Sequence, residues 1–156
     1  MPSDTTASTR GVTPGGLPAL RLRPPLVLPI PPSYNHAYKI IRRRNDEGKT
    51  YYSLALTDTA NVWLEEAALK AKLWARSQRW VIHKDWLIVW YQVYYPDYIR
   101  RDTHNYKLLW DGLEDIIYIN DSWALPRPAI PRYDRRNPRV ELHFYTPDEL
   151  GEAIED

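Results

Sequence analysis

The most constraining feature of this sequence is the apolar run over residues 86–95, which only Gln92 interrupts and which Asp85 and Pro96 bound. Both alternating sets of its side chains are mainly apolar. A strand that is covered on both faces lies at the centre of a sheet or at a subunit interface. The run is also far shorter than the roughly 20 apolar residues that a membrane-spanning helix needs. It therefore predicts one central strand around which the rest of the domain is built.

Weaker patterns on either side of this strand predict the other elements. A helix is expected to begin at Thr57 or Thr59, because either side chain can cap it. An apolar stripe at spacings of three and four residues then continues that helix. A second helix is expected over residues 103–115 and a loop over residues 116–122. The remaining predicted elements are a strand at 26–30, a turn at 45–48, a proline-rich strand at 123–133 and a strand at 139–145.

These elements predict an α+β fold with a mixed sheet of about four to five strands and two main helices. A chain of 156 residues fits one ordinary domain, which we expect over residues 25–146. Residues 1–24 are rich in Ser, Thr, Gly and Pro and predict a disordered lead. Residues 147–156 form an acidic tail.

Charge is distributed unevenly along the chain, although 21 bases nearly balance 20 acids overall. Residues 141–156 carry six of the acids and no Lys or Arg, so the preceding body is basic. Basic runs lie at residues 42–44, 100–101 and 135–136. The asymmetry fits a body that binds nucleic acid, and it fits equally a solvated surface with scattered charges.

The absence of cysteine excludes a disulfide framework and thiolate metal sites. No basic-then-apolar leader opens the chain and no run could span a membrane, so we expect a cytoplasmic protein without a membrane partner. No glycine-rich phosphate loop is present, which disfavours a phosphohydrolase acting on small substrates. Nothing in the sequence calls for an organic cofactor.

The stretch from residue 100 to residue 121 concentrates the side chains that carry chemistry. An arginine pair meets an acid at a loop-to-helix junction, and further acids follow on the helix and on the next loop. Mg²⁺ prefers such hard oxygen ligands, and a bound ion of this kind activates water and offsets charge on a phosphate. The candidates are Arg100, Arg101, Asp102, His104, Asn105, Lys107, Asp111, Asn120 and Asp121.

The order of these residues resembles the RusA family of Holliday-junction resolvases. That family opens with a strand ending in Pro-Pro-Ser-x-Asn, seen here at residues 31–35. It continues with an Arg-rich Asp-x-Asp-Asn motif, seen here as Arg-Arg-Asp-Thr-His-Asn at residues 100–105, a helical lysine, and an Asp-Asp pair in the following loop. The resemblance implies a homodimer that uses Mg²⁺ held by aspartates to nick four-way DNA junctions symmetrically.

By position, Asp102 matches the first catalytic aspartate of the family, Asp121 the last and Lys107 the helical lysine, and the residue types around them indicate the other roles. Asp102, His104, Lys107 and Asp121 are the predicted catalytic residues. Asp102, Asp121, Asp111 and His104 are the predicted metal ligands, and Arg100, Arg101, Asn105 and Lys107 the predicted DNA contacts. His104 and Asn120 stand where the family has aspartates. An imidazole ligand suits Mn²⁺ better than Mg²⁺, so Mn²⁺ is a second candidate metal.

Other interpretations stay open for the same residues. Asp102 fits the N-cap of its helix, and the arginine pair fits ion pairs with surface acids. The loss of two carboxylates at His104 and Asn120 fits a junction-binding protein that is catalytically weakened. If the basic body serves assembly instead, the chain is a structural or adaptor protein.

Overall fold

The computed structural model of the chain describes residues 16–18, 20–99, 101 and 106–152. Its strands are β1 (Leu26–Leu28), β2 (Tyr38–Arg44), β3 (Thr50–Leu56), β4 (Leu87–Tyr95), β5 (Ala124–Pro128), β6 (Arg132–Tyr133) and β7 (Arg139–Tyr145). Its α-helices are α1 (Tyr34–Ala37), α2 (Asp58–Ser77) and α3 (Lys107–Gly112). Two short 3₁₀ helices cover Asp121–Trp123 and Asp148–Leu150.

The fold is α+β and is built on a mixed sheet of five strands, as the sequence predicts. Four strands lie in the order β1-β7-β4-β5, and β6 also pairs with β4. β4 is antiparallel to β7 on one side and parallel to β5 and β6 on the other. The prediction of a central strand is therefore confirmed. Gln92, the one polar residue of the run, is buried and donates from Nε2 to the Ile130 carbonyl at 2.9 Å.

The prediction of one continuous strand over residues 123–133 is wrong. The structure has two short strands there, β5 and β6, separated by residues 129–131. In the described part of the chain both pair only with β4, at the edge of the sheet, where a proline removes no ladder hydrogen bond on the outer side. In the link between β5 and β6, Ala129 N donates to the Tyr91 carbonyl of β4 at 2.8 Å. This hydrogen bond fixes the link to the central strand.

Helix α2 begins at the predicted cap and packs across the sheet. Thr57 is the N-cap, and its Oγ1 accepts from Ala60 N at 3.2 Å. The indole nitrogens of Trp63 and Trp74 donate to carbonyls of the segment that leads into and out of β1. The buried face is made of Ala60, Trp63, Ala67, Ala71 and Trp74.

Helix α3 is shorter than the predicted helix over residues 103–115. It ends at Gly112, and Asp115 has a left-handed backbone with φ of 64°. Residues 102–105, where the predicted helix begins, lie outside the described residues. At Gly112 the two helices approach closely, because a Cβ there would lie 3.1 Å from the Trp63 ring and 3.3 Å from a Leu64 methyl group. The absence of a side chain at Gly112 thus allows α3 to lie this close to α2.

Strands β2 and β3 form a separate antiparallel hairpin of seven residue pairs. The sequence predicts its turn but not its strands. Asn45 organises the turn, since its Oδ1 accepts from the backbone nitrogens of Glu47 and Lys49. Gly48 completes it with φ of 79°.

The described ends of the chain contact the body of the fold. Leu17 is 4% exposed, within the segment predicted as a disordered lead. Near the other end, Glu149 pairs with Arg23, and Glu152 pairs with Arg127. Among the described residues, no helix has the length and apolarity that crossing a membrane requires.

Candidate metal centre

Three carboxylates converge where α3 meets the loop that follows it. Asp111 lies in the last turn of α3, Glu114 follows two residues after that helix, and Asp121 begins a 3₁₀ helix. One oxygen from each lies within 4.8 Å of the other two, and all three side chains are partly buried. We refer to Asp111, Glu114 and Asp121 as the acidic centre.

A chain reversal between residues 113 and 120 brings Asp121 back to α3. Asp115 N donates to the Tyr118 carbonyl at 2.8 Å, and the Tyr118 hydroxyl donates to the Trp110 carbonyl. Asp121 N then donates to Glu114 Oε1 at 2.9 Å and orients that carboxylate. Because Tyr118 is fully buried, the reversal is anchored in the core of the domain.

Asn120 is not part of the acidic centre. Its Oδ1 accepts from Ser122 N at 2.8 Å and caps the 3₁₀ helix. The third carboxylate is instead that of Glu114, which the sequence analysis did not single out. Its spacing of three residues from Asp111 is the signal that was available, but that spacing is common on solvated helices.

The acidic centre concentrates negative charge. The pKa of Asp121 is raised above its ordinary 3.8, first by partial burial, then by its contacts with the Glu114 carboxylate and, less strongly, with Asp111. A carboxyl group that shares a site with other carboxylates resists ionisation. The centre therefore favours either a bound proton or a bound cation.

Lys107 and Tyr38 both contact Asp111. Lys107 Nζ lies 2.9 Å from Asp111 Oδ2, and the Tyr38 hydroxyl donates to the same oxygen at 3.2 Å. The Asp111 hydrogen bond raises the pKa of Lys107. The predicted helical lysine is thus beside the centre, one helical turn before Asp111. Among the described residues, one ammonium lies beside the three carboxylates, so ionisation of all three leaves two negative charges uncompensated there.

Arg101 is the one member of the predicted arginine pair that the structure describes. Its guanidinium pairs with both Asp97 carboxylate oxygens, at 2.6 and 3.0 Å, and lies 4.9 Å from the centroid of the Tyr95 ring. In this structure Arg101 pairs with a surface acid, and its contact with DNA stays a prediction. Arg100, Asp102, His104 and Asn105 lie outside the described residues.

A cleft of about 500 Å³ is lined both by Ser33 and Asn35 of the Pro-Pro-Ser-Tyr-Asn segment and by Arg101 and Tyr106. His36, which follows that segment, also lines the cleft, and its Nδ1 lies 2.7 Å from Ser33 Oγ. Two motifs far apart in sequence therefore meet at one cleft.

Comparison of the chain with protein-family models and with curated proteins gives no match.

Proposed function

We propose that this protein is a metal-dependent endonuclease that resolves four-way DNA junctions by hydrolysing phosphodiester bonds in two strands. The observation that carries the proposal is the acidic centre with Lys107 beside it. The resemblance of the flanking motifs to RusA-type resolvases supplies the substrate class. A homodimer is part of the proposal, because a two-fold protein suits the two symmetric nicks.

The residues of the acidic centre fit a Mg²⁺ ion. Three carboxylates offer hard oxygen ligands, and an ion of charge two would compensate the charge that Lys107 leaves. Mg²⁺ usually takes one or two carboxylates and completes its shell with water and phosphate. We assign Asp111, Glu114 and Asp121 as ligands, with Asp102 and His104 as predicted additional ones. When bound, such an ion supplies activation of water and stabilisation of charge on the scissile phosphate.

The chain's own side chains would bind and orient the DNA backbone. Lys107 reaches Asp111 through a flexible, exposed stem, so its ammonium can turn from that carboxylate to a phosphate. Arg101 can exchange Asp97 for phosphate, which its planar guanidinium binds with two hydrogen bonds. Arg100 and Asn105 complete the proposed set of DNA contacts.

The test is cleavage of an end-labelled four-way junction with Mg²⁺ and separately with Mn²⁺. The parent should give paired, symmetric nicks, and Asp102→Asn and Asp121→Asn should remove them while junction binding persists. Asp115→Asn is the matched control: Asp115 is exposed, lies in the same loop, and has a positive φ that asparagine tolerates. Loss of cleavage in Asp115→Asn as well would argue against a specific role of the acidic centre.

A junction-binding protein that does not cut is the second candidate. Asn120 favours it, because its side chain caps a helix and supplies no charge where the family has an aspartate. Junction-selective band shifts without nicks in either metal would support this candidate. An absence of junction-selective binding at every metal concentration would point instead to a structural or adaptor protein.

A further inference from the structure

The outer half of the β2–β3 hairpin carries a cluster of arginines on a projecting ribbon. The hairpin forms its own two-stranded sheet and packs mainly on itself. At about 3.3 Å per residue, its seven paired positions make a ribbon of roughly 20 Å. The last three positions before the turn pair Arg42 with Tyr52, Arg43 with Tyr51, and Arg44 with Thr50.

These arginines lack acidic partners in the described part of the chain. Arg42 and Arg44 form no ion pair there, and Arg43 donates only to Ser53 Oγ, at 2.9 Å. All three are exposed. By contrast, Arg23, Arg127 and Arg139 each pair with a glutamate. The hairpin therefore presents cations that an external anion can contact.

The arrangement of the cations over both faces indicates what kind of anion fits. Side chains alternate along a strand, so Arg42 and Arg44 project from one face of the ribbon and Arg43 from the other. A ribbon that docks on another protein surface uses one face. A ribbon inserted between two phosphate backbones meets negative charge on both, and the major groove of DNA, about 12 Å wide, admits a two-stranded ribbon.

We propose that the β2–β3 hairpin inserts into the major groove of a duplex arm of the DNA substrate, with Arg42, Arg43 and Arg44 contacting phosphates. The inference rests on the proposed function and adds to it a binding element separate from the acidic centre. A second copy of this chain is the competing occupant, because Ile40 and Leu54 near the base of the hairpin are 73% and 57% exposed.

The test is the affinity for a four-way junction and for a linear duplex, measured across a salt series with EDTA present. The hairpin variant replaces Arg42, Arg43 and Arg44 with Gln. The control replaces three other exposed cations, Lys72, Arg76 and Lys84, with Gln. We expect the hairpin variant to bind both DNAs at least about tenfold more weakly than the parent. The slope of the logarithm of its binding constant against the logarithm of the salt concentration should be smaller in magnitude by up to about 2.7. The control should change less in both quantities.

Replacing the same three arginines with Lys keeps the charge and should keep the slope, which separates lost phosphate contacts from a misfolded hairpin. A hairpin variant with the affinity and slope of the control would overturn the inference while leaving the proposed function intact. A parent that binds no DNA would overturn both. Loss of self-association in sedimentation velocity, with an unchanged salt slope, would assign the hairpin to a second copy and likewise overturn it.

Discussion

Two groups of acids in this molecule have opposite surroundings. Near the C-terminal end, Glu149 lies 2.9 Å from Arg23 and Glu152 pairs with Arg127, so each carboxylate has its own guanidinium. In the acidic centre, one oxygen each of Asp111, Glu114 and Asp121 lies within 4.8 Å of the other two, and the described part of the chain places one ammonium, that of Lys107, beside them.

The pKa values follow this difference. The pKa of Glu149 is lowered because hydrogen bonds from Thr146 and Arg23 outweigh its partial burial, and the Arg127 hydrogen bond lowers the pKa of Glu152. Partial burial and Glu114 raise the pKa of Asp121. Within the described residues, Glu149 and Glu152 are each compensated by an arginine, whereas the acidic centre keeps uncompensated negative charge when its three carboxyl groups are ionised.

The largest expected effect comes from Glu114→Gln on cleavage. If Glu114 is a metal ligand, the loss of its charge should lower the rate of junction cleavage by at least about 10- to 100-fold, the range seen even for outer-shell groups of metal sites. Single-turnover cleavage with Mg²⁺ measures it. Glu152 pairs with Arg127, so Glu152→Gln should cleave like the parent. Equal losses of cleavage in both variants would contradict the distinction between the two groups of acids.

A smaller effect is expected from Glu149→Gln on stability. This change removes a partly buried charge that accepts from both Arg23 and Thr146 N. We expect the free energy of unfolding to fall by about 1 kcal/mol. Urea unfolding at neutral pH measures this, with the exposed helix residue Glu65 changed to Gln as the control. A fall no larger than that of the control would mean that the ion pair contributes no stability.

The smallest effect concerns pH and distinguishes the two groups by sign. Glu149 has a lowered folded pKa, so its contribution is present above its ordinary 4.5 and is lost as the pH falls through the folded value. Asp121 has a raised folded pKa, so its contribution is present below its ordinary 3.8 and is lost as the pH rises through the folded value.

Thermal unfolding in EDTA from about pH 2.5 to about pH 8 should therefore show two diverging series, with the change for Glu149 below about pH 5 and the change for Asp121 above about pH 4. Relative to the parent, Glu149→Gln should become more destabilising as the pH rises, and Asp121→Asn should become neutral or stabilising by up to about 1 kcal/mol. If Asp121→Asn is destabilising at pH 8, then repulsion from the other carboxylates of the acidic centre does not dominate the effect of the Asp121 charge on stability.

Most of the fold could be predicted from local patterns. The apolar run with two apolar faces predicted β4 as the central strand. Thr57 and the apolar stripe that follows it, at spacings of three and four residues, predicted α2. The β2–β3 hairpin escaped prediction because neither of its faces is buried in the domain, so its strands lack the alternation that burial imposes. The break between β5 and β6 depends on edge pairing, which no local pattern reveals.

The acidic centre could be predicted only in part. Motif order singled out Lys107, Asp111 and Asp121, which the structure brings together. Glu114 joins them because the chain reverses at Asp115 and is anchored there by Tyr118, a tertiary arrangement that sequence spacing does not encode. Whether Asp102 and His104 join the centre stays a prediction.

The most direct test of the central claim is a titration of the metal-free protein with Mn²⁺. Binding is measured by calorimetry or from the electron paramagnetic resonance signal of the free ion. The parent and Asp115→Asn should bind about one ion per chain with similar affinity, and Asp121→Asn and Glu114→Gln should bind at least about tenfold more weakly. Equal binding by all four proteins would contradict the assignment of the acidic centre as the metal site.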